Sequence, residues 1–149
     1  MILVDTREKK HQSILDYFER NKIPYRHIAL KTGDYMLEGN NKITIDRKRN
    51  LDEVWGNLFA KGNKERFMRE VKRARREKMQ FILLIEHGRI KSVADIAKWR
   101  SKFGMGTGER IVNRLYEINK VWGVKIEFCD KRSTGRIIAE RLGVINGQR

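Results

Sequence analysis

Phe81-Ile82-Leu83-Leu84-Ile85-Glu86 is the most hydrophobic run in this 149-residue chain, and it ends on an acid. Six residues are short for a helix and fit a strand covered on both faces, as strands inside α/β sheets are. The run is therefore predicted to be the central strand. Outward from it, the sequence alternates between helical and extended patterns. Just upstream, Lys61 to Lys78 contains Phe67, Val71 and Ala74 at one-face helical spacing with Met68 beside them. A further helical stretch follows Asp52 and stops at the Lys61-Gly62-Asn63 break. Earlier still, Ile2 to Asp5, His27 to Leu30, Tyr35 to Glu38 and Lys42 to Arg47 read as strands, with turns at Thr32-Gly33-Asp34 and Gly39-Asn40-Asn41. His11 to Asn21 carries Ile14, Leu15 and Phe18 at helical spacing, and Pro24 follows as a stop. Downstream, Ser92 and Asp95 form a capping-box-like start for a helix to about Phe103, which the glycine-rich 104–108 segment breaks. A helix to Val121, a strand from Val124 to Phe128 and a helix from Ser133-Thr134 to about Leu142 complete the pattern. The expectation is an α/β fold: a central mixed β-sheet flanked by helices, forming a single domain over residues 1–149. Internal repeats, linkers and low-complexity tails are not found in it.

Composition narrows the partners. Thirty-four basic against 19 acidic residues give a net charge of +15, which points to a polyanion. The excess is concentrated in Lys61 to Lys78, where nine basic residues face three acids. Binding to a membrane surface would need a large apolar face opposite the basic one, and the apolar residues here suffice only to dock the helix on its own core. No run approaches the roughly 20 apolar residues of a membrane span. The N-terminus lacks the layout of a signal peptide. One cysteine and three histidines argue against an internal disulfide and a structural zinc site. The expectation is an intracellular protein, in the cytoplasm or nucleoid of a prokaryotic or viral host, or in a eukaryotic nucleus.

Four acids fall at strand ends or just beyond: Asp5, Asp34, Asp46 and Asp52. Carboxylates aimed at a polyanion need a cation between them, and Mg2+ binds through one or two carboxylates plus phosphate oxygens and water. Lys48 stands two residues along the strand from Asp46, on the same face, while Arg47 points to the other face, where an ion pair with another element is expected. Blander readings exist for each acid. Asp5 is compatible with capping a turn, Gly33-Asp34 with a plain hairpin turn, Asp52 with the N-cap of the next helix, and Glu86 with a simple strand-terminal acid. The acid-x-Lys triplet alone carries little weight, because it also occurs at Glu8-Lys9-Lys10.

The combination carries more. Val4-Asp5-Thr6-Arg7-Glu8, then Gly33-Asp34, then Asp46-Arg47-Lys48, three residues and Asp52 resemble the nuclease domain of the XPF/Hef family, whose signature runs G-D, a variable gap, E-R-K, three residues and D. Arg66-Phe67, Leu83 to Glu86, Gly123 to Ile126 and Ser133-Thr134 extend the likeness to about residues 1–143. The resemblance implies a restriction-endonuclease-like core and Mg2+- or Mn2+-dependent cleavage of branched, flap or junction DNA. It implies Asp34 and Asp46 as metal ligands with Asp5 close to the metal, and Lys48 acting on the nucleophile or phosphate. Arg47, Asp52 and Arg7 would organise the site. It also implies a homodimer or heterodimer through this domain. Lys64, Arg66, Arg69, Lys72, Arg73 and Arg76 are the expected DNA-binding residues, giving salt-sensitive, sequence-independent contacts. Two departures stand out. Asp46 occupies the position of the family's glutamate, one methylene shorter, and no tandem helix-hairpin-helix domain is expected after the nuclease core. Gly104-Met105-Gly106 is instead expected to be a loop whose amides approach phosphate. The competing reading is a catalytically inactive DNA-binding or scaffolding subunit. No residue separates DNA from RNA as substrate.

Overall fold

The computed structural model describes residues 1–102 and 104–146. Six strands form one mixed sheet: β1 (Ile2–Asp5), β2 (Tyr25–Ile28), β3 (Tyr35–Leu37), β4 (Asn40–Lys48), β5 (Gln80–Glu86) and β6 (Lys125–Cys129). Their order across the sheet is β2-β1-β3-β4-β5-β6. The β1–β2, β4–β5 and β5–β6 pairs are parallel, and β3 runs antiparallel to both β1 and β4. The FILLIE run is thus an interior strand, one in from the β6 edge, and every residue from Phe81 to Glu86 is buried.

Alternation along the strands splits the core into two layers. Phe81, Leu83 and Ile85 face α2 (Leu51–Phe59), α3 (Asn63–Arg76) and α4 (Gly108–Trp122), through Leu51, Leu58, Val71 and Ile111 among others. Ile82 and Leu84, with Ile2, Val4, Tyr35 and Ile45, face α1 (Gln12–Arg20) and α5 (Thr134–Arg141), through Phe18 and Ile138. The basic helix docks as expected, with Phe67, Val71 and Ala74 buried. Burial of such side chains contributes about 1.5–3 kcal/mol for each large one. Among the described residues, no helix is long and apolar enough to cross a membrane.

Four local expectations need correction. The second strand spans Tyr25–Ile28 rather than 27–30: pairing starts directly after Pro24, whose carbonyl accepts from Ile2 N, and the chain then leaves the sheet so that Leu30 N can reach Asp5. The hairpin between β3 and β4 turns at residues 38–39, with Gly39 at φ +76°, instead of at 39–41. Asn50, not Asp52, caps α2. Its backbone is extended and its side chain accepts from Glu53 N at 2.9 Å, which leaves Asp52 at the second helical position. The helix after Ser92 is only a 3-10 turn over Ala94–Lys98. Asp95 does accept from the amides of Lys91 and Ser92, as a helix start requires. At Trp99 the backbone becomes extended, however, and the Arg100–Thr107 bridge draws the chain into a loop. The expected end near Phe103 lies outside the described residues.

Candidate active site

Strand order, not sequence order, assembles the acids. Val4 pairs with Tyr35, and Tyr35 with Ile45. One step further along the same registers puts Asp5, Asp34 and Asp46 in a row across β1, β3 and β4. Two backbone bonds fix that row, from Asp5 N to Asp34 O at 2.8 Å and from Asp34 N to Ile45 O at 2.7 Å. Gly33 makes the turn possible. Its φ is +74°, and a Cβ there would meet Thr44 Oγ1 at 2.1 Å, so only glycine fits. Thr44 Oγ1 in turn donates to Thr32 O, closing the turn from below.

The row opens into a cleft of about 450 Å³ lined by Asp5, Asp34, Asp46, Lys48 and Gly33, with Arg7, Lys9, Asn57, Arg66 and Glu70 around them. Asp34 and Asp46 are its chemical centre. Burial first, and then the Asp46 and Glu8 carboxylates, push the Asp34 carboxyl well above the ordinary carboxylate range. Asp34 Oδ2 accepts from Arg47 N at 2.8 Å. Lys48 Nζ lies 3.2 Å from Asp46 Oδ2 and 3.3 Å from Oδ1. Burial pulls the Lys48 pKa down, but Asp46 and Asp34 outweigh it and the net shift is upward. Lys48 therefore stays an ammonium at neutral pH and can donate a hydrogen bond but not accept a proton.

Asp5 is the most engaged of the three acids. Its Oδ1 accepts from Leu30 N at 2.9 Å and its Oδ2 from Arg7 Nε at 3.0 Å. Arg7 also donates to Leu30 O, so Asp5, Arg7 and Leu30 brace one another. Asp52 is not brought into the cleft. It is exposed on α2, and Oδ1 accepts from Ser101 Oγ at 2.8 Å, tying that helix to the loop after the 3-10 turn.

Arg47 points to the opposite face, as expected, and is almost completely enclosed there. Its Nε lies 2.9 Å from Glu8 Oε2 and its Nη1 3.3 Å from Glu86 Oε2, while Nη2 donates to Lys9 O at 2.6 Å. Glu86 also accepts from Thr134 Oγ1 at 2.6 Å, which makes it a partner of Arg47 and α5 rather than of the cleft. Tyr35 donates to Glu8 at 2.7 Å; burial and then Glu8 push its phenol far above the ordinary value. A charged network under the sheet thus holds the strand whose other face carries Asp46 and Lys48.

Of the expected DNA-binding side chains, Lys64, Arg66, Arg69, Lys72 and Arg76 are exposed on α3. Arg66 reaches the acidic cleft, while Lys64, Arg69 and Lys72 line a neighbouring groove with Arg114 and Trp122. Arg73 is committed differently: it turns back to donate to Lys31 O at 2.5 Å. The Gly104-Met105-Gly106 loop leaves Met105 89% exposed, and Gly106 packs against Trp55 and Trp99.

Glu70 was not anticipated. It lies three residues after Phe67 and four before Ala74, a spacing that carries it round to the buried side of α3, and this was the available signal. Its Oε1 accepts from Gly33 N at 2.8 Å. Burial, then Asp46, raise its pKa.

The donor set suits a hard divalent cation. Two adjacent carboxylates, one of them resisting ionisation because of burial first and the other carboxylate second, offer oxygens that Mg2+ or Mn2+ would hold in charged form, and such ions take one or two carboxylates with the remainder water or phosphate. Among the described residues, no group of three or more His, Cys, Asp or Glu side chains is placed to hold a metal by itself, so the other donors would be water and substrate oxygens.

A family model for the ERCC4 domain matches residues 4–140. The chain belongs to the ERCC4 domain family. This agrees with the resemblance carried by the Gly33-Asp34…Asp46-Arg47-Lys48…Asp52 pattern. Among solved structures, XPF from Aeropyrum pernix is similar at a TM-score of 0.69 and 16% identity, over 98% of this chain and 66% of that one. A structure titled as a complex of the same protein with DNA is similar at 0.65 and 17%, over 96% and 62%. At these identities the likeness speaks for the fold, an α/β core of restriction-endonuclease type. The chain spans a little under two thirds of the length of those structures. No curated protein sequence matches the chain.

Proposed function

We propose that this ERCC4-domain chain is a Mg2+- or Mn2+-dependent, structure-specific DNA endonuclease that hydrolyses phosphodiester bonds in branched, flap or junction DNA. One observation carries the reading: the neighbouring strands β1, β3 and β4 put Asp5, Asp34, Asp46 and a protonated Lys48 together in a cleft whose rim is basic. Asp34 and Asp46 would hold the metal, with Asp5 adjoining. The metal, when bound, supplies polarisation of water and of the phosphoryl oxygens. Lys48, kept protonated, donates to phosphate oxygens or to the attacking water and stabilises charge that builds up on the phosphorus oxygens. Arg47 is a positioning residue: its backbone amide orients Asp34 and its side chain anchors β4 to the network beneath. Asp52 supports the site indirectly, through α2 and Ser101.

Substrate binding falls to the exposed cations of α3. Lys64, Arg66, Arg69, Lys72 and Arg76 offer backbone contacts without base readout, which suits recognition by shape. Dimerisation through this domain, with a second copy or a related chain, is part of the same proposal and would supply further DNA contacts.

The test is a cleavage assay on flap, fork and four-way-junction DNA, with and without Mg2+ or Mn2+. Wild type is expected to cut with metal, while Asp46→Ala and Lys48→Ala lose at least about 100-fold, the scale of removing one transition-state charge partner. Equal cutting by wild type and both variants would show a contaminant and defeat the proposal. Tight binding of branched DNA with no metal-dependent cutting, even with a partner chain supplied, would favour an inactive DNA-binding or scaffolding subunit.

A further inference from the structure

Glu70 is the acid in the cleft to which neither the motif nor the proposed reaction gives a task. It sits amid the basic residues of α3, yet its neighbours at three and four residues' distance, Phe67 and Ala74, are buried, so the carboxylate is turned toward the sheet. Oε1 is spent on Gly33 N at 2.8 Å. Oε2 has no hydrogen-bond partner among the described side chains and amides, and the residue lines the cleft with Asp34, Asp46 and Lys48.

A carboxylate is a costly means of holding one backbone N–H. A glutamine carbonyl would accept the same bond with no charge to desolvate. The tie to Gly33 accounts for an acceptor at this position but not for a negative one. A cation in the cleft accounts for it.

We propose that Glu70 is a positioning residue of the metal site, acting from outside the ligand set: pinned by the Gly33 amide, it directs a free carboxylate oxygen into the cleft and raises its affinity for Mg2+ or Mn2+. This rests on the metal-dependent reading above. A hard divalent ion keeps several waters, each a hydrogen donor for which a nearby carboxylate is the natural acceptor. Partners at that remove typically change metal affinity by about 10- to 100-fold. The same bond links cation binding to the Gly33-Asp34 turn, because Gly33 immediately precedes Asp34, a proposed ligand.

The experiment titrates metal-free protein with Mn2+, without DNA, and follows free Mn2+ by electron paramagnetic resonance. Thermal melts in chelator run in parallel. Glu70→Gln keeps the acceptor for Gly33 N and removes only the charge; it is expected to bind Mn2+ about 10-fold more weakly while melting at or above the wild-type temperature. Glu70→Asp keeps the charge with a shorter reach and is expected to recover part of that affinity. Asp46→Asn reports on the proposed ligand set and should bind more weakly than either. If Glu70→Gln binds as wild type does while Asp46→Asn fails, Glu70 is a structural acceptor only and the inference is overturned, with the metal reading intact. If wild type takes up no Mn2+, the inference and the metal reading fall together.

Discussion

Arg47 offers the sharpest test of how the fold supports the site. Its side chain is 1% exposed, and it is the shared cation for two carboxylates, Glu8 and Glu86, that are themselves 8% and 3% exposed. Arg47→Met keeps much of the bulk and removes the charge. Lys9 and Lys10 are exposed, so water can replace the bonds their carbonyls lose. Glu86 has no such substitute: its Oε1 is already buried with no hydrogen-bond partner among the described residues. Removing one member of a buried ion pair costs about 3–5 kcal/mol, a large part of the roughly 5–15 kcal/mol that holds a domain together. At about 2–4 °C per kcal/mol for a chain of this size, the melting temperature should fall by at least about 6 °C. The assay is thermal unfolding by circular dichroism, with urea midpoints as a second measure. Adding Glu8→Gln and Glu86→Gln to Arg47→Met should restore much of the loss, because the cost lies in the orphaned charges. A melting temperature within about 2 °C of wild type, or no rescue by the glutamines, would refute the view that Arg47 neutralises buried acids.

Asp34→Asn should stabilise the metal-free protein at neutral pH. The folded-state pKa of Asp34 is raised, so its contribution to stability is full below the unfolded carboxylate pKa of about 4 and is lost as pH rises through the folded value. The advantage of the variant in chelator should therefore vanish toward pH 4, and Mn2+ should stabilise wild type but not the variant; a less stable variant at neutral pH would contradict this. Lys72→Ala and Arg69→Ala should each lower the slope of log binding constant against log salt by about 1 for branched DNA, while Arg73→Ala should instead lower the melting temperature, because its guanidinium holds the Lys31 carbonyl. Asn50→Ala removes the cap of α2 and should cost about 1 kcal/mol in urea unfolding, whereas Asp52→Ala should leave the helix start intact.

Much of this molecule was legible in order along the chain. The FILLIE strand, the apolar face of the basic helix and the Gly33 turn follow from local physics: continuous apolar residues, a three-to-four residue repeat, and the turn-forming Gly-Asp pair. The side of β4 taken by Arg47 against Asp46 and Lys48 followed from the two-residue period of a strand. Errors arose where a distant partner decided. Asp52 and Asn50 are both good capping residues two positions apart, and the helix begins where Leu51 enters the core. The 3-10 turn after Ser92 stops early because Trp99 and Arg100 are claimed by the strand-like contacts of Gly108 and Thr107.

The sequence by itself determined which residues could carry charge chemistry, that a strongly basic helix accompanies them in the chain, and that Asp46 and Lys48 would share a face. Only the tertiary structure decided that Asp5, Asp34 and Asp46 form one row, since that depends on β1 pairing with β3, whose partners lie 31 to 35 residues apart (Val4 with Tyr35, Ile2 with Leu37), a pairing that no local period encodes. Only the tertiary structure brought Glu70 to Gly33 and gave Arg47 its two acids. The physical reason is that a buried charge is settled by whatever compensating charge the rest of the fold delivers to it, and local sequence does not specify that delivery.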